Sequence, residues 1–325
     1  ALAQAGFDSV QVVEAQATAD PDFSTVKSPN PESQAAFALA EELGRKVGAD
    51  VLVATDPDAD RVGVEVLQKD GSYLNLSGNQ IGAIMAKYIL EAHKNAGTLP
   101  ENAALCKSIV STDLVTKIAE SYGATMFNVL TGFKFIAEKI QEFEEKHNHT
   151  YMMGFEESFG YLIKPFVRDK DAIQAVLVVA ELAAYYRSRG LTLADGIEEI
   201  YKEYGYYAEK TISVTLSGVD GAEQIKAIMA KFRDNGPKEF NATTITVVED
   251  FKAQTSTTAD STVTALTTPP SDVLKYTLAD GSWIAVRPSG TEPKIKFYIA
   301  VVGESNEDSQ AKIANIEAEI NAFVK

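Results

Sequence analysis

Three loops carry residue types whose spacing could do chemistry. The first, Thr55-Asp56-Pro57-Asp58-Ala59-Asp60-Arg61, places carboxylates at i, i+2 and i+4, which would scatter around a helix but can converge on one point in a turning loop. Three oxygen donors on one loop suit a hard divalent cation, and magnesium leaves positions for water or a substrate phosphate. An EF-hand is excluded, because its loop needs glycine at position 6 and glutamate at position 12, where Arg61 and Leu67 stand. An Asp-x-Asp-x-Thr phosphatase loop would want a hydroxyl where Asp60 is. The alternative is an acidic turn whose aspartates cap backbone amides; Arg61 argues against it, since a cation beside a metal loop suits contact with phosphate.

The second loop, Gly154-Phe155-Glu156-Glu157-Ser158-Phe159-Gly160, follows a predicted strand. Two carboxylates and a hydroxyl at a strand's carboxyl end lie where open α/β sheets bind ligands, and they would accept from sugar hydroxyls; the alternative is a solvated acidic loop. The third, Arg287-Pro288-Ser289-Gly290-Thr291-Glu292-Pro293-Lys294, joins two predicted strands. Gly290 lets amides fold around an anion, Ser289 and Thr291 add hydroxyls, and Arg287 can grip two phosphate oxygens; the alternative is an ordinary hairpin.

Weaker signals have plain explanations beside the chemical ones. Arg168-Asp169-Lys170-Asp171 precedes a long apolar helix, so an aspartate can cap it while Arg168 and Lys170 face phosphate. His147 and His149 lie in a polar run at a helix end and make a poor metal site. Ser28 has no basic neighbour in sequence, and a proline-held turn explains it.

The elements that must position these loops follow from periodicity and breakers. Strands are expected at Val10–Val13, Val51–Ala54 and Val62–Leu67, and helices at Ser33–Val47 and Asn79–His93. Then come a strand at Leu105, helix Asp113–Tyr122, strand Thr125–Val129, helix Phe133–Glu145, strand Tyr151–Phe155 and helices Ala172–Arg189 and Leu193–Tyr204. Such alternation favours parallel βαβ topology. From Thr211 onward, strands at 211–216, 245–248, 273–278, 283–286 and 295–302 lie between helices at 222–233 and 308–323, with a Thr/Ser-rich stretch at 255–268. Consecutive strands without crossovers indicate an antiparallel sheet with helices on one face. The expected fold class is therefore two α/β domains with mixed or parallel sheets, 1–103 and 104–207, followed by an α+β domain, 208–325.

A length of 325 residues suits two or three domains. With 30 basic against 46 acidic residues the net charge is −16, which repels phosphate backbones and anionic lipid, so nucleic acid and membrane are not expected partners. The single Cys106 excludes an intrachain disulfide and fits a reducing cytoplasm. Neither GxxxxGK[ST] nor GxGxxG occurs, which argues against P-loop and dinucleotide sites. The opening Ala1–Phe7 reads as the end of a helix closed by Gly6, as if the chain were part of something longer.

The ordered set of loops, carboxylate triplet, GxEES and RPSGTEP, resembles the α-D-phosphohexomutases and more closely their phosphoglucomutase branch. VKSPNPE (26–32), TGFKFI (131–136) and RDKD extend the resemblance over essentially the whole chain. It implies domains 2 to 4 of a four-domain enzyme whose first domain carries a phosphoserine in a Thr-x-Ser-His-Asn-Pro motif absent from this sequence. It further implies that Asp56, Asp58 and Asp60 hold Mg²⁺, and that Arg61 touches the phosphoryl group or substrate. Thr131, Lys170, Glu156 and Ser158 would contact the hexose or its phosphate, Lys134 could also reach the cleft, and Arg287, Ser289, Gly290 and Thr291 would bind the non-reacting phosphate. The implied reaction interconverts glucose 1-phosphate and glucose 6-phosphate through glucose 1,6-bisphosphate, with the missing first domain as partner. A phosphomannomutase, a phosphopentomutase or a non-catalytic sugar-phosphate module are the competing expectations.

Overall fold

The structure is a computed structural model that describes residues 1–216, 220–290 and 293–324. Two compact units form, Ala1–Tyr204 and Gly205–Lys325, so the first two expected modules share one unit.

In the first unit, Val10 and Val12 are exposed and lie in no strand; among the described residues nothing pairs with them, so the expected strand is absent. Ala3–Ala5 and Gln34–Phe37 make single 3-10 turns, the former closed by Gly6 at φ 90° as anticipated. The expected helix from Ser33 is a true α-helix only over α1 (Ala38–Val47). Three strands follow, β1 (Val51–Thr55), β2 (Val62–Leu67) and β3 (Tyr73–Asn75), in the order β1-β2-β3 and antiparallel throughout. The reason is loop length: the short Asp56–Arg61 link cannot supply the crossover a parallel pair needs.

Helix α2 (Gly78–Asn95) starts at a reciprocal capping box between Ser77 and Gln80. It is mostly apolar, and Gly82 in its middle lets the Phe155 ring lie against the helix backbone. Next come β4 (Ala103–Ser108), α3 (Leu114–Ser121), β5 (Thr125–Val129), α4 (Phe133–Lys146), β6 (Thr150–Glu156) and β7 (Gly160–Leu162). They form a mixed sheet of order β5-β4-β6-β7, parallel except for the β6–β7 hairpin. Helix α4 buries Phe133, Ile136, Ile140 and Phe143, one helical face, against Cys106, Val129 and Leu162. Helices α5 (Ala172–Ser188) and α6 (Leu193–Tyr204) complete the unit.

In the second unit, β8 (Tyr206–Thr215), α7 (Gly221–Asn235), β9 (Glu239–Phe240), β10 (Thr243–Asp250), β11 (Thr255–Thr258), β12 (Val263–Ala265), β13 (Leu274–Leu278), β14 (Trp283–Pro288), β15 (Lys294–Gly303) and α8 (Asn306–Val324) follow in turn. All strand pairs are antiparallel, in the order β12-β11-β10-β13-β14-β15-β8 with β9 on β10. Alternate residues Ile284, Val286, Ile295, Phe297, Ile299 and Val301 pack with Ile225, Met229 and Phe232 of α7 and Ile313, Ile316 and Ile320 of α8, so both helices cover one face, as expected. The Thr/Ser-rich stretch forms the β11–β12 hairpin at the sheet edge, where β-branched threonines favour extended backbone. No helix among the described residues is long and apolar enough to cross a membrane.

Candidate active site

The turn between β1 and β2 is built by its own first aspartate. Asp56 Oδ1 accepts from the amides of Asp60 (3.0 Å) and Arg61 (2.9 Å), and Ala59 takes the left-handed conformation at φ 56° to close the turn. The amide-capping role and the ligand role thus coexist in one loop. One oxygen from each of Asp56, Asp58 and Asp60 lies within 4.8 Å of the others. Burial pushes the Asp56 carboxyl up to about 6, with the Asp60 and Asp58 carboxylates adding to the rise against the Arg61 amide. Asp60 Oδ1 is buried without a hydrogen-bond partner among the described residues. Converging hard oxygens with one left unsatisfied fit a divalent cation such as Mg²⁺.

Two further segments are stitched to this turn. Arg61 and Gly160 form an isolated antiparallel bridge, and the Val62 amide donates to Phe159 O at 3.0 Å, which ties the end of the Glu156–Gly160 loop to the start of β2. The Ala172 amide donates to Ala59 O at 3.0 Å and ties in the start of α5. Lys170 Nζ then lies 2.8 Å from both Asp60 Oδ2 and Asp169 Oδ1. Burial works against its charge, but the Asp169 and Asp60 carboxylates outweigh it and hold Lys170 above the usual lysine range. Gly160 is required here, since a Cβ would overlap the Lys170 stem. Asp171 caps α5 through Ile173 N and Gln174 N, and Arg168 pairs with Glu144, so the four residues of RDKD divide their roles.

Glu156, at the end of β6, accepts from Gly132 N at 2.6 Å, and its burial raises the carboxyl pKa, the Gly132 amide opposing. Thr131, beside Gly132, has a buried hydroxyl oxygen with no partner among the described residues. Ser158 is half-buried, and Phe159 follows at φ 67°, a strained conformation for a bulky residue. Lys134 is exposed and lies over the Phe135 ring. His149 packs between Phe127 and Phe143, while His147 closes α4; among the described residues the aspartate triplet alone has metal-ligand spacing.

In the second unit, Arg287 stands directly opposite Lys296 in the β14–β15 register, and Ser289 N donates to Lys294 O at 2.7 Å in the turn. Like charges placed opposite each other disfavour the pair unless an anion lies with them. Gly290 is exposed, and Thr291 lies outside the described residues.

Sequence reasoning passed over several residues. Glu32 of the VKSPNPE stretch pairs with Arg61 at 3.0 Å, in competition with Asp56 and Asp60 at 3.8 and 3.7 Å. Its only signal was position within a motif. Lys296 was read as part of a strand, and its signal was register opposite an arginine.

The first unit thus brings the aspartate triplet, Lys170 and the strand-end loop of Glu156 together, and the second unit bears Arg287 and Lys296 beside the β14–β15 turn. Three family models match in sequence order: Phosphoglucomutase/phosphomannomutase alpha/beta/alpha domain II over residues 1–69, alpha/beta/alpha domain III over 77–204 and the C-terminal domain over 218–322. The chain belongs to the phosphoglucomutase/phosphomannomutase family. It is 39% identical over 313 residues to the phosphoglucomutase of Staphylococcus aureus strain bovine RF122 / ET3-1, covering 96% of this chain and 55% of that protein. It is 38% identical over 315 residues to that of Staphylococcus haemolyticus, covering 97% and 56%. The chain thus spans about half the length of the curated relatives it matches. The fold is shared with the open form of Paramecium pp63/parafusin, a phosphoglucomutase (TM-score 0.63, 21% identity, 94% of this chain and 51% of that one). It is shared also with a family protein of Burkholderia thailandensis (TM-score 0.56, 14% identity, 91% and 51%).

Proposed function

We propose that this chain is the metal-, sugar- and phosphate-binding body of a phosphoglucomutase that interconverts glucose 1-phosphate and glucose 6-phosphate. The observation that carries the reading is the convergence of Asp56, Asp58 and Asp60, with Lys170 on Asp60 and the Glu156 loop bonded to the same turn. Asp56, Asp58 and Asp60 would hold Mg²⁺, which when bound supplies positive charge to a phosphoryl group in transit. Arg61 and Lys170 add cationic donors beside it and so stabilise charge that spreads over the phosphoryl oxygens in the transition state. Glu156 and Ser158 accept from and donate to neighbouring sugar hydroxyls, and the buried, unpartnered Thr131 oxygen is a further ligand contact. Arg287, Ser289, Gly290 and Thr291, joined by Lys296, hold the non-reacting phosphate.

In this reading a phosphoserine on polypeptide outside this sequence donates to the free hydroxyl, glucose 1,6-bisphosphate forms and turns around, and its other phosphate returns to serine. Titration calorimetry on the purified chain with Mg²⁺ tests the reading. Glucose 1-phosphate is expected to bind, with mannose and ribose 1-phosphates weaker, and the chain by itself is expected to show no turnover. Absence of any hexose phosphate binding, or mutase turnover by this sequence alone, overturns it.

A further inference from the structure

We propose that Glu157 is a positioning residue that sets the register of the Glu156–Ser158 loop by locking it onto the end of β4. This rests on the functional reading above only for the ligand it names. The two adjacent glutamates have divided tasks. Glu156 takes the Gly132 amide on one side, whereas Glu157 Oε2 accepts from Ser108 Oγ at 2.9 Å and Ser111 Oγ at 3.2 Å. The Glu157 amide in turn donates to Ser111 Oγ at 3.0 Å, so side chain and backbone are both tied to the same serine.

The serines are a firm base. Ser108 and Ser111 are fully buried with hydroxyls 2.9 Å apart, and Ser111 O accepts from the fully buried Lys107 Nζ at 3.0 Å, itself paired with Asp113 at 2.9 Å. The start of α2 closes the other side. Gly78 packs so tightly on the Glu157 carbonyl that a Cβ would overlap it, Tyr161 donates to Gly78 O at 2.8 Å, and Asn79 Oδ1 accepts from Thr112 N at 3.0 Å. A half-buried carboxylate whose Oε2 takes two buried hydroxyls is held in place, and removing it leaves those donors stranded. Phe159, two residues on, is held at φ 67°, a strain that persists only where its surroundings over-determine it. Without the Glu157 tie, the loop would relax toward ordinary backbone and carry Glu156 and Ser158 with it.

Hydrogen exchange of segment 156–160 and calorimetry with two probes, glucose 1-phosphate and inorganic phosphate, test the proposal on the full chain. Glu157→Ala is expected to speed exchange of 156–160 and weaken glucose 1-phosphate about tenfold, with inorganic phosphate affinity unchanged. Glu157→Gln, which keeps one acceptor, should recover part of the loss. Ser108→Ala with Ser111→Ala should reproduce Glu157→Ala, and the combination should add little, which covers the case in which Glu157→Ala fails to fold. Wild-type exchange in either variant overturns the proposal, as does equal weakening of both probes. If exchange responds as expected but the wild-type chain binds no hexose phosphate, the functional reading falls and the positioning role stands.

Discussion

Lys170 Nζ stands 2.8 Å from Asp60 Oδ2, so an ammonium group sits at the rim of a carboxylate triplet that also has the geometry of a metal loop. The lysine comes from a segment more than a hundred residues away in sequence, and it reaches the triplet because Gly160 leaves room for its stem. Several consequences of this shared arrangement can be measured.

Asp58 is the exposed member of the triplet, whereas Asp56 holds two loop amides. Asp58→Asn should therefore leave the melting temperature nearly unchanged and weaken Mn²⁺ or Mg²⁺ binding roughly tenfold or more, through lost ligand charge. Asp56→Asn should lower both. Unchanged metal affinity in Asp58→Asn would refute the assignment.

Lys170→Met removes a positive charge next to a ligand carboxylate. Divalent cation affinity should rise by about threefold or more, while glucose 1-phosphate affinity measured in saturating Mg²⁺ falls. A drop in cation affinity would show that Lys170 orients Asp60 rather than competing at it.

Gly160→Ala pushes a methyl group into the Lys170 stem inside a buried hairpin. The expected cost is about 1–3 kcal/mol in denaturant unfolding, with metal affinity altered in the same direction as in Lys170→Met. A stability equal to wild type would mean that the stem has another route.

Glu65 in β2 is fully buried, has one oxygen without a partner among the described residues, and is pushed by burial up to about 7 from 4.5. A carboxyl raised in the folded state binds its proton there more tightly than in the unfolded chain. Its stabilising contribution is thus complete below pH 4.5 and is lost as pH rises to about 7. Glu65→Gln should flatten that slope and be more stable than wild type at pH 8 by on the order of 1–3 kcal/mol. Parallel pH profiles for the two proteins from pH 4.5 to 8 would contradict this.

Ala59 closes the aspartate turn at φ 56°. Ala59→Gly should raise stability slightly or leave it unchanged, since glycine enters that region without a Cβ clash, whereas Ala59→Val should lower it by about 1–2 kcal/mol. Equal melting temperatures for the two variants would argue against strain at this position.

Much of the architecture was legible in the sequence because it depends on local periodicity and punctuation. The apolar face of α4, the alternation in β14 and β15, and the Gly6 and Asp171 caps are written in consecutive residues. The aspartate triplet was legible for the same reason, since a turning loop of i, i+2, i+4 carboxylates has few other ways to place them.

Elements whose partners lie far along the chain were not legible. Val10–Val13 has strand composition but no strand beside it among the described residues, and β3 and β7 are short pieces that pair on the edges of β2 and β6. The expectation of mixed or parallel sheets left the pairing of the first three strands open; they pair antiparallel because the loop that carries the aspartates is too short for a crossover.

Residue types and their order along the chain determined which groups are available for the proposed ligands: carboxylates for a cation, glutamate and serine for hydroxyls, and arginine for phosphate. Only the tertiary structure decided how they are used. It put Lys170 on Asp60, turned Glu157 inward to Ser108 and Ser111, and set Glu32 against Arg61. The physical reason is that composition and spacing constrain neighbours a few residues apart, while hydrogen bonds and ion pairs act over a few ångströms of space, which packing alone brings within reach.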